Sequence, residues 1–341
     1  MARKNSDNQV HDTEVNVDGV DPERQQAAVD EIRWFLQILS ASTRESHGDV
    51  TMRRIVIAKD FDTTINELSP QWKTSEVKYK AQRRTVRAIG KTIEHVENDK
   101  ISFSLVFDGE VFRNWDQQAK AFRFEKFLHE LVHPVIDATR FQKLGAEKYY
   151  PNEKTAEGIC LSLALNATNE YKVDRIVDEL CQKFLSDDNH QPVPLAKLYL
   201  AESVDLRVTL VELVSKMPEF IVQNVLDFKE WRIAINELWS RICQFLDELL
   251  TVLAHCVAIY GQQEEWLQTL ADISQAQAYR SFLGGHIEAI HKEWQRWFDE
   301  PAADEIENLE AIGNEIRGIF HRCGLTLTNV TDGIYVSVDF V

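Results

Sequence analysis

Cysteine is scarce in this chain: five in 341 residues (Cys160, Cys181, Cys243, Cys256 and Cys323), an odd number, widely spread, with no Cys-x-x-Cys pair. That argues against a disulfide framework and for a reducing compartment. Long apolar runs are missing too. The most apolar stretch, Phe245 to Tyr260, carries Asp247, Glu248 and His255, and reads as too short and too charged to span a bilayer. The start, Met1-Ala2-Arg3-Lys4-Asn5-Ser6-Asp7, leads into polar sequence without an apolar signal core. The expectation is therefore a cytoplasmic protein with no membrane partner. Positive charge is in deficit, with 38 Lys and Arg against 55 Asp and Glu and a net charge of −17. Such a balance disfavours nonspecific nucleic-acid binding by the protein as a whole. A Gly-x-Ser-x-Gly elbow, a phosphate loop and a dinucleotide fingerprint are all absent.

What is present suffices for a sizeable core: 44% of residues are hydrophobic and 10% aromatic. The length suggests two domains or one large one. One short motif stands out, Phe127-Leu128-His129-Glu130-Leu131-Val132-His133. On a helix, positions i and i+4 lie about 40° apart and one turn along, so His129 and His133 point the same way. Two imidazoles so placed suit two corners of a tetrahedral zinc site, and Glu130 lies beside them within reach of a metal-bound water. The preceding run from Asn114 to Lys126 reads as helix, with Asn114 or Asp116 as its cap and Phe122, Phe127, Leu128, Leu131, Val132, Val135 and Ile136 on its buried side. Pro134, directly after the second histidine, is expected to kink or loosen that helix.

A third protein ligand is needed. Glu170, in Asn169-Glu170-Tyr171-Lys172-Val173-Asp174-Arg175, is the best placed, and Asp174 shares its helical face four residues on. That spacing suits a ligand carboxylate followed by a second carboxylate that orients a ligand histidine. Glu153 and Glu157 have the same spacing and are rivals, set close behind the turn expected at Tyr149-Tyr150-Pro151-Asn152.

His-Glu-x-x-His followed by Glu-x-x-x-Asp on a second helix resembles the gluzincin branch of zinc metallopeptidases, over about residues 50 to 185. Glu-Tyr-Lys-Val-Asp-Arg is similar to the Glu-x-x-Ala-Asp-Arg segment of that branch, with Val173 in place of the small alanine. Soluble members include the ImmA/IrrE-like peptidases, which cleave transcriptional repressors. The resemblance implies an α+β, zincin-like metallopeptidase core, Zn2+ as cofactor, a protein or peptide substrate, His129, His133 and Glu170 as metal ligands, Glu130 as the catalytic base and Asp174 behind the ligands. It also implies an edge strand beside the zinc helix that pairs with extended substrate, for which Ile101–Phe107 and Glu110–Phe112 are the candidates. The oxyanion donor is left open among Tyr149, Tyr150 and Tyr171. A second reading, from a different class, is a non-enzymatic regulatory or interaction protein with a structural or lost metal site.

The remaining chain reads as follows. Residues 1–20 are polar and aperiodic and suggest a disordered tail. Asp21-Pro22-Glu23 opens a helix. Residues 53–61 alternate as a strand, and residues 76–98 read as an amphipathic helix with Val86, Ile89, Ile93 and Val96 on one side. Its other side carries Lys80, Arg84, Arg87 and Lys91, a docking face for an acidic partner or nucleic acid, or a plain solvated face. Ile101 to Phe112 reads as a strand interrupted at Asp108-Gly109. The polar, proline-containing stretch Ser186–Pro194 is the clearest linker, which divides the chain into a metallopeptidase domain at 21–188 and a mainly helical domain at 189–341. Helices are expected there at about 195–217, 219–261, 262–281, 284–299 and 303–322, broken among others at Met217-Pro218 and Gly261. A hairpin turning at Asp332-Gly333 is expected to close the chain.

Overall fold

The computed structural model describes residues 13–43, 50–69, 88–186, 190–201, 206–261, 266, 269, 271–273, 279–299, 305–331 and 333–339. Its contacts divide the chain into two units, Met1–Tyr149 with Ile176–Leu198, and Tyr150–Arg175 with Tyr199–Val341.

In the first unit a four-stranded sheet is built from β1 (Glu14–Asn16), β2 (Met52–Ala58), β3 (Gly90–Glu97) and β4 (Lys100–Asp108), in the order β1-β2-β4-β3. β2 runs parallel to β1 and β4, and β3 runs antiparallel to β4. Helix α1 (Gln25–Thr43) follows a short 3-10 turn at Pro22–Arg24, and α2 (Phe61–Leu68) follows β2 with Asp60 as its cap, accepting from the Thr63 N–H at 3.0 Å. The segment expected as a tail thus contributes a strand, β1, because Glu14–Asn16 finds an open parallel partner in Arg54–Val56.

A second correction concerns residues 76–98. Residues 70–87 lie outside the described residues, with Lys80, Arg84, Arg87 and Val86 among them, but Gly90–Glu97 is a strand rather than the end of a helix. Asn98 and Asp99 take φ of 51° and 56° and join it to β4, with Glu97 opposite Lys100. Two successive residues at positive φ are what a two-residue type I′ hairpin turn demands. The candidate edge strands change accordingly. Ile101–Phe107 lies in β4, between β2 and β3, and Gly109–Phe112 is a 3-10 turn; among the described residues the sheet edges are β1 and β3.

Helix α3 (Gln117–Tyr149) carries the His-Glu-x-x-His run. Asp116 caps it, accepting from the Ala119 N–H at 2.7 Å. Phe127, Leu128, Leu131, Val132, Val135 and Ile136 are buried as expected; Phe122, expected on the same side, is only partly buried, and Phe124 is buried instead. Phe127 stacks on Phe107 of β4 with ring centroids 3.9 Å apart, and Phe35 of α1 meets Phe127 at 5.1 Å. A buried ion pair fixes α1 against α3: the Arg123 guanidinium donates through Nε and Nη2 to both oxygens of Glu31, at 3.0 and 3.1 Å. Bidentate geometry of this kind holds direction as well as distance. Pro134 sits inside α3 without a non-helical residue beside it; the interruption falls instead at Gly145, with φ 72° and ψ 166°.

Helix α4 (Ala156–Phe184) begins at a Thr155 cap, whose Oγ1 accepts from the Gly158 N–H at 3.0 Å. It is counted with the second unit up to Arg175 and with the first unit from Ile176. In the first unit, the stretch expected as a linker folds back on itself: Ser186 bridges Pro192, and the Val193 N–H donates to the Leu185 carbonyl at 3.2 Å. Asp178 of α4 accepts from the Leu195 N–H at 2.7 Å, at the start of α5 (Leu195–Ala201).

The second unit adds α6 (Leu206–Lys229), α7 (Ile235–Tyr260), a π turn at Tyr279–Leu283, α8 (His286–Asp299), α9 (Glu305–Arg322) and the hairpin of β5 (Leu325–Val330) with β6 (Gly333–Val338). α6 passes through Pro218, where a break was expected, and the chain turns at Trp231 instead, with φ 59°. By length and composition α7 could cross a membrane, so the sequence expectation that this stretch is too short is corrected. It is a core helix all the same: 67% of its apolar window is buried, with Leu246, Leu249, Leu250, Leu253 and Ala254 inside. Within this unit α4 is anchored by Lys172 Nζ to Glu305 at 2.6 Å, by Trp294 Nε1 donating to Thr168 at 3.0 Å, and by Tyr171 stacked on Trp294.

Candidate metal centre

His129 and His133 are one turn apart on α3, with ring centroids 5.1 Å apart and planes at 75°. Glu130, between them in sequence, faces β3. Its carboxylate Oε2 accepts from the Thr92 hydroxyl at 3.0 Å, and the same hydroxyl lies 3.1 Å from the Glu130 carbonyl. Two positions from Thr92, Gly90 makes room: a Cβ there would lie 2.5 Å from Glu130 Cγ. Strand β3 therefore touches the carboxylate directly, by a hydroxyl at one position and by a missing side chain at another.

Glu170 stands in the middle of α4 and Asp174 one turn on. Asp174 is fully buried, and its Oδ2 is 2.6 Å from Nδ1 of His255, a residue of α7. Nε2 of the same ring lies 3.9 Å from Glu170 Oε2. The rival carboxylates are engaged elsewhere: Glu157 takes Arg317 Nη1 at 2.9 Å and Asn329 Nδ2 at 2.7 Å, and Glu153 accepts from the Ser162 hydroxyl at 2.7 Å. These contacts hold the Glu157 carboxyl below its usual range, the Asn329 hydrogen bond contributing most.

The donor atoms of His129, His133 and Glu170 all lie within 4.8 Å of one another, so the three could hold a metal ion. Two imidazoles and a carboxylate are a donor set suited to zinc in its open, catalytic form, in which ligand atoms about 2.0–2.1 Å from the ion leave one corner vacant. Around such an ion the donors would stand about 3.3 Å apart. The residues therefore fit a divalent ion of this class.

The tyrosines weighed as oxyanion donors have other surroundings. Tyr149 is buried, packed on Phe141 and under the Arg140 guanidinium; burial, with Asp137 and Glu94 nearby, raises its phenol well above the ordinary value. Tyr171 is buried against Trp294, and Tyr150 is exposed. Cys160 is buried in the core, the setting of a packing residue, and burial pushes its thiol up to about 12.

Three residues against the predicted ones escaped the sequence reading: Gly90 and Thr92 beside Glu130, and His255 beside Asp174. The first two had a usable signal. Ile101-Ser102-Phe103-Ser104-Leu105 alternates as a strand, and the Asn98-Asp99 pair just before it is a turn signal, which together point to a partner strand on the other side of the turn. His255 had none, since it lies 81 positions beyond Asp174 inside an apolar helix. No protein family, curated protein or solved structure matches the chain.

Proposed function

We propose that this protein is a zinc-dependent metallopeptidase of the gluzincin type, with His129, His133 and Glu170 as the metal ligands and Glu130 as the general base. The observation that carries the reading is the convergence of a His-Glu-x-x-His pair and a downstream glutamate into one group of donor atoms within 4.8 Å. His129, His133 and Glu170 would hold the zinc ion, which would supply a coordinated water with its pKa lowered to about 7 and a Lewis acid for the carbonyl. The protein's own residues divide the remaining work. Glu130 accepts the proton of the attacking water and returns a proton to the leaving amine. Thr92 fixes the carboxylate oxygen that does so, and Gly90 lets β3 come close enough for that contact.

Among the described residues β3 pairs with β4 alone, which leaves its other edge for an extended peptide. A peptide added there would run past Glu130, because Thr92 and Gly90 lie on that strand. Backbone hydrogen bonds would supply the affinity, and pockets for alternate side chains the selectivity.

The test uses the full chain loaded with zinc and a proteome-derived peptide library scored by mass spectrometry for new termini. The expected result is cleavage by the wild type, none by Glu130→Gln, and one zinc per chain in both. Cleavage by Glu130→Gln at the wild-type rate would overturn the mechanism. A wild-type protein that takes up no metal would favour the non-enzymatic reading.

A further inference from the structure

We propose that His255 is a positioning residue of the metal centre: held by Asp174 at one nitrogen, it sets with the other the place of the Glu170 carboxylate. The inference rests on the reading of His129, His133 and Glu170 as metal ligands. Its geometry lies within the second unit of the chain.

Asp174 is fully buried, and a buried carboxylate is costly unless donors face it. His255 Nδ1, 2.6 Å from Asp174 Oδ2, donates the hydrogen that answers this need. The bond fixes three things at once: which ring nitrogen carries hydrogen, the plane of the ring, and the direction of Nε2. Nε2, left as an acceptor, then faces Glu170 Oε2 at 3.9 Å, beyond a direct hydrogen bond and within reach of a single bridging water that donates to both. Both side chains are largely withdrawn from solvent, His255 at 15% exposure and Glu170 at 26%. The α4 positions of Glu170 and Asp174, one turn apart, give the ring a carboxylate at each nitrogen.

Carboxylate–histidine pairs behind metal centres usually act through a histidine that binds the ion. Here the histidine that Asp174 orients is not among the three grouped donors; it meets the glutamate instead. Its contribution is to limit the rotamers open to Glu170 before the ion arrives. The sequence pattern Glu-x-x-x-Asp thus works through a third helix, α7, which no local spacing discloses.

The experiment measures zinc affinity of the full chain by competition with a chromophoric chelator, and the visible spectrum of the cobalt-substituted protein. Removal of a supporting residue behind a metal ligand typically weakens affinity by about 10- to 100-fold. That loss is expected for His255→Ala and, to a smaller extent, for His255→Gln, each with an altered cobalt spectrum. Metal-free protein should keep the wild-type circular dichroism in at least one of the two. Asp174→Asn combined with His255→Ala should be no weaker than the weaker single variant, since the two act as one device. Wild-type affinity and spectrum in His255→Ala would overturn the proposal. So would loss of the folded signal in both variants, which would make His255 a fold residue only. Failure of the wild type itself to bind zinc or cobalt would instead overturn the metal-site reading.

Discussion

Gly90→Ala places one methyl group where β3 passes Glu130. The new Cβ would lie 2.5 Å from Glu130 Cγ and 3.0 Å from both Cδ and Oε1. Ordinary carbon contacts begin near 3.5 Å, so the glutamate side chain must retreat by about 1 Å. A displacement of that size at a catalytic group can cost about 100-fold in rate, or about 2.7 kcal/mol of transition-state stabilisation. Stability should move differently. Gly90 has no positive φ, so alanine takes the backbone without strain, and it stabilises by about 0.4–1 kcal/mol through the smaller entropy of the unfolded chain. That gain offsets part of the repacking. The expected signature is hydrolysis reduced about 100-fold, with zinc content unchanged and the thermal transition within a few degrees of wild type. The assays are elemental analysis, a thermal melt and cleavage of a peptide that the wild type cuts. Wild-type hydrolysis in Gly90→Ala would refute the idea that Glu130 acts from its place against β3. A large drop in stability would show that the strand, not the side chain, gives way.

Thr92→Val removes the hydroxyl that faces Glu130 Oε2 and keeps the shape; it should cost about tenfold in kcat/KM, about 1.4 kcal/mol, with zinc retained. An unchanged kcat/KM would mean the hydroxyl does not hold the base. Glu170→Ala should lose zinc outright while Glu157→Ala, whose carboxylate serves Arg317 and Asn329, keeps it; the reverse result in elemental analysis would transfer the ligand role. Acid should weaken the fold through His291 and His95, both lowered in pKa chiefly by burial. Near pH 6.5 the unfolded chain then binds more protons than the folded one, so stability falls as pH drops from about 7 through the lowered folded values. His291→Gln should flatten that slope in denaturant titrations at successive pH values, and an unaltered slope would assign it to other groups.

The reach of sequence reasoning differs from one element to the next, for physical reasons. The burial of α3 was legible because its apolar residues recur at helical spacing, and the Asp116 cap because a carboxylate precedes that run. Both helix prolines misled. Pro134 and Pro218 each remove one hydrogen bond, yet Leu131, Val132, Val135 and Ile136 around the first, and Leu213, Val214, Met217 and Ile221 around the second, are buried and hold the helix on both sides. The stretch before Asn98 was misread because Ile89, Ile93 and Val96 satisfy a helical stripe, whereas the side chains of β3 other than Ile93 are at most partly buried at an edge, where alternation is weakest. At the centre itself, His129, Glu130, His133 and Glu170 could be picked out by spacing within single helices. His255 belongs to a contact between helices far apart in sequence, and only packing reveals it.

The turn at Asn98-Asp99 bears on how the chain folds as well as on what it becomes. β3 and β4 are neighbours in sequence, and hairpins of that kind close in about 1–10 μs. The parallel half of the sheet, with Ile55 against Leu105, must first bring together segments about fifty residues apart, which is entropically dear and slow. The strand that meets Glu130 therefore belongs to the fastest-forming part of the sheet. Substitutions at Asn98 or Asp99 are expected to slow folding, and those in β1 mainly to speed unfolding, a partition that φ-values would read directly. Equal φ-values in the two halves would remove this order. An early β3 would give α3 a surface against which to dock, so the setting of the Glu130 carboxylate would precede the long-range closure of the sheet.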